Sequence, residues 1–219
     1  MKYGESLFDI AYLIFAIAAG VIVLSRRKDK VGKLMGTATL VLGCGDAFHL
    51  VPRVMNYFVQ ADFTMWLGIG KMVTSITMTL FYLMLLYLNR ELTGKNNRVL
   101  QRTVIVLTVC RIFLCLLPGN RWMTNDGTML WAVLRNVPFI IIGILAVIAF
   151  YRSRNDNVHF KNMWIYITLS FAFYIPVAVG AGIVPMLGML MLPKTICYVL
   201  MLVCFLSESK SIENVATTK

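Results

Sequence analysis

Polar faces are what this chain lacks. Only 14% of its 219 residues are charged and 59% are hydrophobic. A soluble domain of this length would show polar stripes at helical or strand spacing, so a soluble class is excluded. Acids are scarce, with 10 Asp and Glu against 21 Lys and Arg. Histidine occurs twice, and His159 falls in a loop where an ordinary solvated role suffices. The five cysteines (Cys44, Cys110, Cys115, Cys197, Cys204) are odd in number. No spacing among them reads as a metal knuckle, so they are expected to be small apolar packers. No removable leader is expected either: the first apolar run continues into a basic stop, which reads as a retained helix.

What is present is hydrocarbon in long runs. Stretches of ~20 apolar residues recur, enough to cross a ~30 Å core. Seven helices are predicted, over residues 7–24, 34–56, 65–88, 99–117, 128–151, 163–184 and 187–206. Loops are short throughout, so the expectation is an all-α polytopic membrane protein, with residues 1–219 forming a single seven-helix transmembrane domain. Trp66 and Trp131 sit near one predicted interface and Trp164 near the other, the belt positions of amphipathic rings. The fourteen methionines are expected to pack or to face lipid.

Basic residues are distributed unevenly. Arg26, Arg27, Lys28, Lys30 and Lys33 fill the first loop; Arg90, Lys95, Arg98 and Arg102 surround the third. Arg152, Arg154 and Lys161 fill the fifth, and Lys210 and Lys219 lie in the tail. The other side offers Lys2, Arg53 and Arg121. Short basic loops stay in the cytoplasm, so the N-terminus is expected outside and the C-terminus inside, in a cell inner (cytoplasmic) membrane. The same argument removes nucleic acid as a partner, because the +11 charge orients the bundle and forms no binding face.

Eight ionisable residues lie within the apolar runs: Asp9, Asp46, His49, Arg53, Lys71, Arg111, Arg135 and Lys194. A charge in the bilayer interior is costly and usually faces a bundle interior or a wet cavity. Lys71, Arg111, Arg135 and Lys194 each fall ~10 Å from the outer end of their helices at 1.5 Å per residue. A long cation can snorkel over that distance. Four at matching depth, with an acid–imidazole pair, point instead to one shared cationic cavity open toward the outside.

Locally, Gly43-Cys44-Gly45-Asp46-Ala47-Phe48-His49-Leu50-Val51-Pro52-Arg53 is the sharpest string. Asp46, His49 and Arg53 share one helical face at i, i+3, i+7. They could relay a proton, with Arg53 at the mouth, or serve as a structural clamp. Gly43 and Gly45 invite close helix approach. Lys71 begins a face through Thr74, Ser75, Met78 and Tyr82, a wet wall unless the hydroxyls bond their own helix. Arg111 stands alone on its helix and needs a partner from another. Arg135 and Asn136 precede Pro138, which predicts an irregular outer turn. Lys194 follows Pro193, with Tyr198 one turn on. Guanidinium grips carboxylate or phosphate with two prongs and ammonium acts as a point charge, so two of each suit an anionic ligand.

The end of helix one through helix two, and the end of helix five through helix six, share an order: apolar stretch, basic turn, Ala-Phe, then Pro52 or Pro176. Tyr82–Leu88 and Tyr198–Cys204 extend the parallel. This suggests a parallel three-plus-one-plus-three repeat, a plan that holds substrate between halves in transporters. Apolar helices also resemble one another by composition alone.

Gly45-Asp46-Ala47-Phe48-His49, followed by Asp62, resembles the metal-site region of the alkaline ceramidase and adiponectin-receptor superfamily, over about a quarter of the chain. The resemblance implies a seven-helix, lipid-acting amidase. Where that family carries a helix-two Ser, Gly45 stands here, and its helix-seven His pair is replaced by Lys194 and Tyr198. Zinc takes about three protein ligands in catalytic sites, so no metal and no other cofactor is expected. Phe173-Tyr174-Ile175-Pro176 and Ala181-Gly182-Ile183-Val184-Pro185 resemble the sixth helix and its exit in microbial rhodopsins, which implies Lys194 as a retinal-linking amine. Here helix three carries Lys71 where a counter-ion acid belongs, so Asp46 or Asp9 would have to serve.

The leading expectation is a proton-coupled transporter for a small anionic or zwitterionic ligand: a phosphate, a carboxylate or a lipid head group. Lys71, Arg111, Arg135 and Lys194 would hold the negative group, with Arg53, Asp9, Ser75 and Tyr198 around it. Asp46 and His49 would carry the proton. The rivals are a lipid-acting hydrolase or transferase with His49 as base, a receptor or assembly subunit whose cations pair with a partner's acids, and a retinal-binding protein.

Overall fold

The computed structural model describes residues 2–180 and 184–217 and contains no strand among them. The predicted tail residue Lys219 and the Ala181-Gly182-Ile183 part of the rhodopsin-like string lie outside the described residues. The long helices are α1 (Lys2–Arg26), α2 (Lys30–Phe58), α3 (Thr64–Thr93), α4 (Arg98–Leu116), α5 (Met129–Arg152), α6 (Met163–Gly180) and α7 (Met191–Thr217). Among the described residues, seven helices are thus long and apolar enough to cross a membrane, the architecture of a multi-pass membrane protein.

α1, α2, α3 and the C-terminal end of α7 overrun the apolar windows, while α4 and α5 match theirs to within a residue. Asp29 caps α2 by accepting from the Gly32 amide at 3.0 Å. α7 runs past residue 206 because Glu208 is buried there, ion-paired with Arg27 at 2.9 Å and bonded by Asn157 at 3.1 Å. Pro193 occupies the first turn of α7, where a missing N–H leaves no bond broken. The irregular turn expected before Pro138 is not present: α5 is helical from Met129 through the proline. The turn Pro185–Leu190 leads into α7.

Each helix packs on the next, and α7 returns to α1, closing a ring; α3 also reaches α5, and α7 also reaches α2. The α2–α3 contact is the most extensive. A Cβ at Gly45 would overlap Thr77 of α3, and one at Gly43 would press on Ala16 of α1, so both glycines set close approaches. In lipid such packing replaces water exclusion as the drive for association. The centre is aromatic. Tyr82 meets Phe139 edge-on at 5.4 Å and Phe171 at 5.2 Å, while Phe81 meets Tyr198 at 6.1 Å. Outward faces carry exposed Ile14, Val106, Phe113 and Ile144, the inverse of a soluble fold.

Candidate functional site

α1, α2, α3 and α7, with the turn Pro185–Leu190, enclose a cavity of about 480 Å³ at the end of the bundle where α1 begins. Its polar lining is Glu5 and Asp9 from α1, Asp46, His49, Arg53 and Tyr57 from α2, Thr74 from α3, and Lys194, Thr195 and Tyr198 from α7. Met186, Met189 and Leu192 supply apolar wall.

Helical spacing explains the grouping. Glu5, Asp9 and Tyr12 repeat at i, i+4, i+7 on α1, and Asp46, His49, Arg53 and Tyr57 climb one face of α2. Where the faces meet, Arg53 Nη2 lies 3.1 Å from Asp9 Oδ2 and 3.9 Å from Glu5 Oε2. Tyr57 donates to Glu5 at 3.1 Å. Deeper, Tyr12 donates to Asp46 at 2.7 Å. Thr74 donates to the Gly45 carbonyl at 3.1 Å, tying α3 to the same stretch of α2.

Lys194 is bounded by rings. Its Nζ lies 4.9 Å from the Tyr174 centroid and 5.2 Å from that of Tyr198. Only 5% of the residue is exposed, and it has no ion pair or hydrogen bond among the described residues. The ring quadrupoles offset part of the cost of burying it. Tyr174 is itself held by donating to Asn136 at 2.7 Å. His49 Nδ1 is also buried without a hydrogen-bond partner.

The expected single cationic void is not formed. Of the predicted residues, the cavity gathers Asp9, Asp46, His49, Arg53, Lys194 and Tyr198. Lys71 and Arg135 line a separate space of about 80 Å³ with Asn120, Trp122, Asn125 and Gly127. There Lys71 donates to Asn125 at 2.7 Å, and Arg135 donates to Asn120 at 2.9 Å while stacking on Trp122. The α4–α5 connection supplies these partners, Asn120, Trp122 and Asn125. Arg111 is 1% exposed, walled in against Phe139 with its Cζ 3.4 Å from the ring centroid. Its Nε and Nη1 have no hydrogen-bond partner. Ser75 donates to the Lys71 carbonyl at 2.7 Å and is absent from the cavity wall, as the back-bonding alternative requires.

The cavity is therefore of mixed sign, with three carboxyl side chains against Arg53 and Lys194, plus His49. Sequence reasoning missed Glu5, Tyr12 and Tyr57. Glu5 and Tyr12 stand one turn to either side of Asp9, and Tyr57 stands one turn beyond Arg53, so the signal was there in the i, i+3 and i+4 positions. Among the described residues, no group of three His, Cys, Asp or Glu could hold a metal ion. No family model matches the chain, and no curated protein or solved structure matches it.

Proposed function

We propose that this chain is an integral membrane protein that binds a small anionic or zwitterionic group, from a solute or a lipid head group, and works as a proton-coupled transporter. Lys194 carries the reading: a buried ammonium at a cavity wall, faced by two rings, sharing the cavity with Asp46 but with no carboxylate in ion-pair contact among the described residues. It favours a carboxylate or phosphate entering beside it. Glu5 and Asp9 near the mouth favour a cationic end on the same ligand. His49, with a free Nδ1, and Asp46, bonded by Tyr12, are the proton carriers in this scheme.

In this reading the N-terminus is outside and the C-terminus cytoplasmic, in an inner membrane, because the basic loops cluster at the end opposite the cavity. The α1–α3 and α5–α7 units act as a parallel repeat joined by α4. Transport then requires the aromatic floor at Phe81, Tyr82 and Tyr198 to part. The unpartnered His49 nitrogen also supports a second reading, a head-group hydrolase with His49 as general base.

The test is the thermal stability of the purified chain in detergent with phosphate, acetate, phosphorylcholine or glycine added. At least one should stabilise the parent chain, and Lys194→Gln should weaken that effect at least ~10-fold, the scale of a buried charge-assisted contact. A gradient of the stabilising solute should then move protons into proteoliposomes. No stabilisation by any probe, or full retention in Lys194→Gln, rejects the binding reading. Release of a cleaved head group without solute flux selects the hydrolase.

A further inference from the structure

A second cavity lies at the opposite, basic end. The C-terminal turns of α3 and α5 and the first turns of α4 enclose about 550 Å³, within the ~300–1,000 Å³ usual for small-ligand sites. An adjoining slot of about 40 Å³ reaches between α3 and α4 as far as Val104. One side of the larger space is polar, with Lys95, Arg152, Asn97 and Ser153; the other is hydrocarbon, with Leu100, Leu145 and Ile148. The helix faces beside it are apolar and bare: Val99 is 75% exposed and Ile144 53%.

The charges count simply. Lys95 is paired with Asp156 at 2.7 Å, so those two cancel. Arg90 contacts Glu91 at 3.6 Å and donates to Gln101 at 3.2 Å, so it too is engaged. Arg152 is exposed and has no ion pair or hydrogen bond among the described residues. The cleft thus presents one uncompensated guanidinium above a hydrocarbon wall continuous with the lipid-facing surface.

We infer that this cleft binds one anionic phospholipid, its phosphodiester on Arg152 and its acyl chains along Leu100, Leu145 and Ile148. A single negative phosphodiester with an uncharged head group matches the single net positive charge. A zwitterionic head group would bring a second cation toward Arg152 and Lys95. A free phosphate would leave the hydrocarbon wall unused. Guanidinium also suits the bidentate geometry of phosphate oxygens. The inference rests on the membrane architecture and is independent of the Lys194 cavity.

The experiment is native mass spectrometry of the purified full chain with equimolar phosphatidylglycerol and phosphatidylcholine. The parent chain should retain one phosphatidylglycerol in preference. Arg152→Gln should cut that preference about fivefold, the effect of one surface cation on an anionic lipid. Ile148→Trp, which fills the cleft without changing charge, should remove the retained lipid. Lys210→Gln, an exposed cation on α7 outside the cleft lining, should change nothing. Equal retention of both lipids overturns the inference. So does a preference that survives both cleft variants, or one that Lys210→Gln weakens as much as Arg152→Gln does.

Discussion

Tyr12 on α1 donates its hydroxyl to Asp46 on α2 at 2.7 Å, and Tyr12 is almost completely buried. The bond ties the two helices beneath the cavity and satisfies one oxygen of an acid set among apolar helices. Tyr12→Phe removes the donor alone. It should cost ~0.6–1.7 kcal/mol, the range of interhelical hydrogen bonds in membrane proteins. In an Asp46→Asn background the same change should cost clearly less. A double-mutant cycle of unfolding in detergent measures the coupling, and additive losses would show that the bond contributes nothing.

Arg53 and Asp9 form the ion pair at the cavity mouth, with Asp9 only 4% exposed. Arg53→Gln leaves that carboxylate without its cation and should lower stability by roughly 3 kcal/mol, as for other broken buried pairs. Adding Asp9→Asn should recover most of the loss. A double variant no more stable than Arg53→Gln alone would mean that the pair is not what holds α1 to α2 here.

Arg111 is a buried cation lying against the Phe139 ring, with Nε and Nη1 unbonded. Arg111→Met removes the desolvation cost and keeps the volume. The variant should fold and be at least as stable as the parent, with gains of up to ~4 kcal/mol on the precedent of buried charges replaced by apolar groups. Thermal unfolding checks this. A clear loss of stability would show that Arg111 has an interaction worth more than its burial.

Gly45 lies at a close approach of α2 to α3, against the Thr77 side chain, whereas Gly4 has open space around its missing Cβ. Gly45→Ala should cost ~1–3 kcal/mol through overpacking against Thr77. Gly4→Ala should be neutral. Size-exclusion homogeneity and melting temperature distinguish the two, and equal behaviour would place the α2–α3 contact elsewhere.

Asp29 precedes the α2 span and accepts from Arg27 Nε at 2.7 Å as well as from Gly32. Burial pushes its carboxyl up, but the Arg27 and Gly32 bonds and the Arg27 charge outweigh it and hold the group below its ordinary value. A depressed folded value means the contribution is present above pH ~3.9, the unfolded value, and is lost as pH falls through the folded one. Asp29→Ala should therefore cost ~1 kcal/mol near neutral pH, the usual worth of an N-cap. The difference from the parent should shrink in acid, and a gap unchanged down to pH 2 would contradict the assignment.

The helices were legible because run length times rise per residue sets what can cross a bilayer. Their ends were not, since Asp29, Glu208 and Pro193 act through caps and pairs that hydropathy ignores. The α2 face of Asp46, His49 and Arg53 was legible from periodicity, and the same rule applied to α1 would have added Glu5 and Tyr12. Lys71, Arg111, Arg135 and Lys194 do not line one space, because position along a helix does not fix direction about its axis.

Run length is one-dimensional and belongs to each helix by itself, so sequence alone determined the seven apolar helices found among the described residues. Which way each charge turns about its helix axis depends on neighbours. Thr77 against Gly45 and the α4–α5 connection lying over Lys71 and Arg135 are contacts between distant parts of the chain. Only the tertiary structure could send Lys194 to the acids of α1 and α2, Lys71 and Arg135 to a space of their own, and Arg111 onto Phe139.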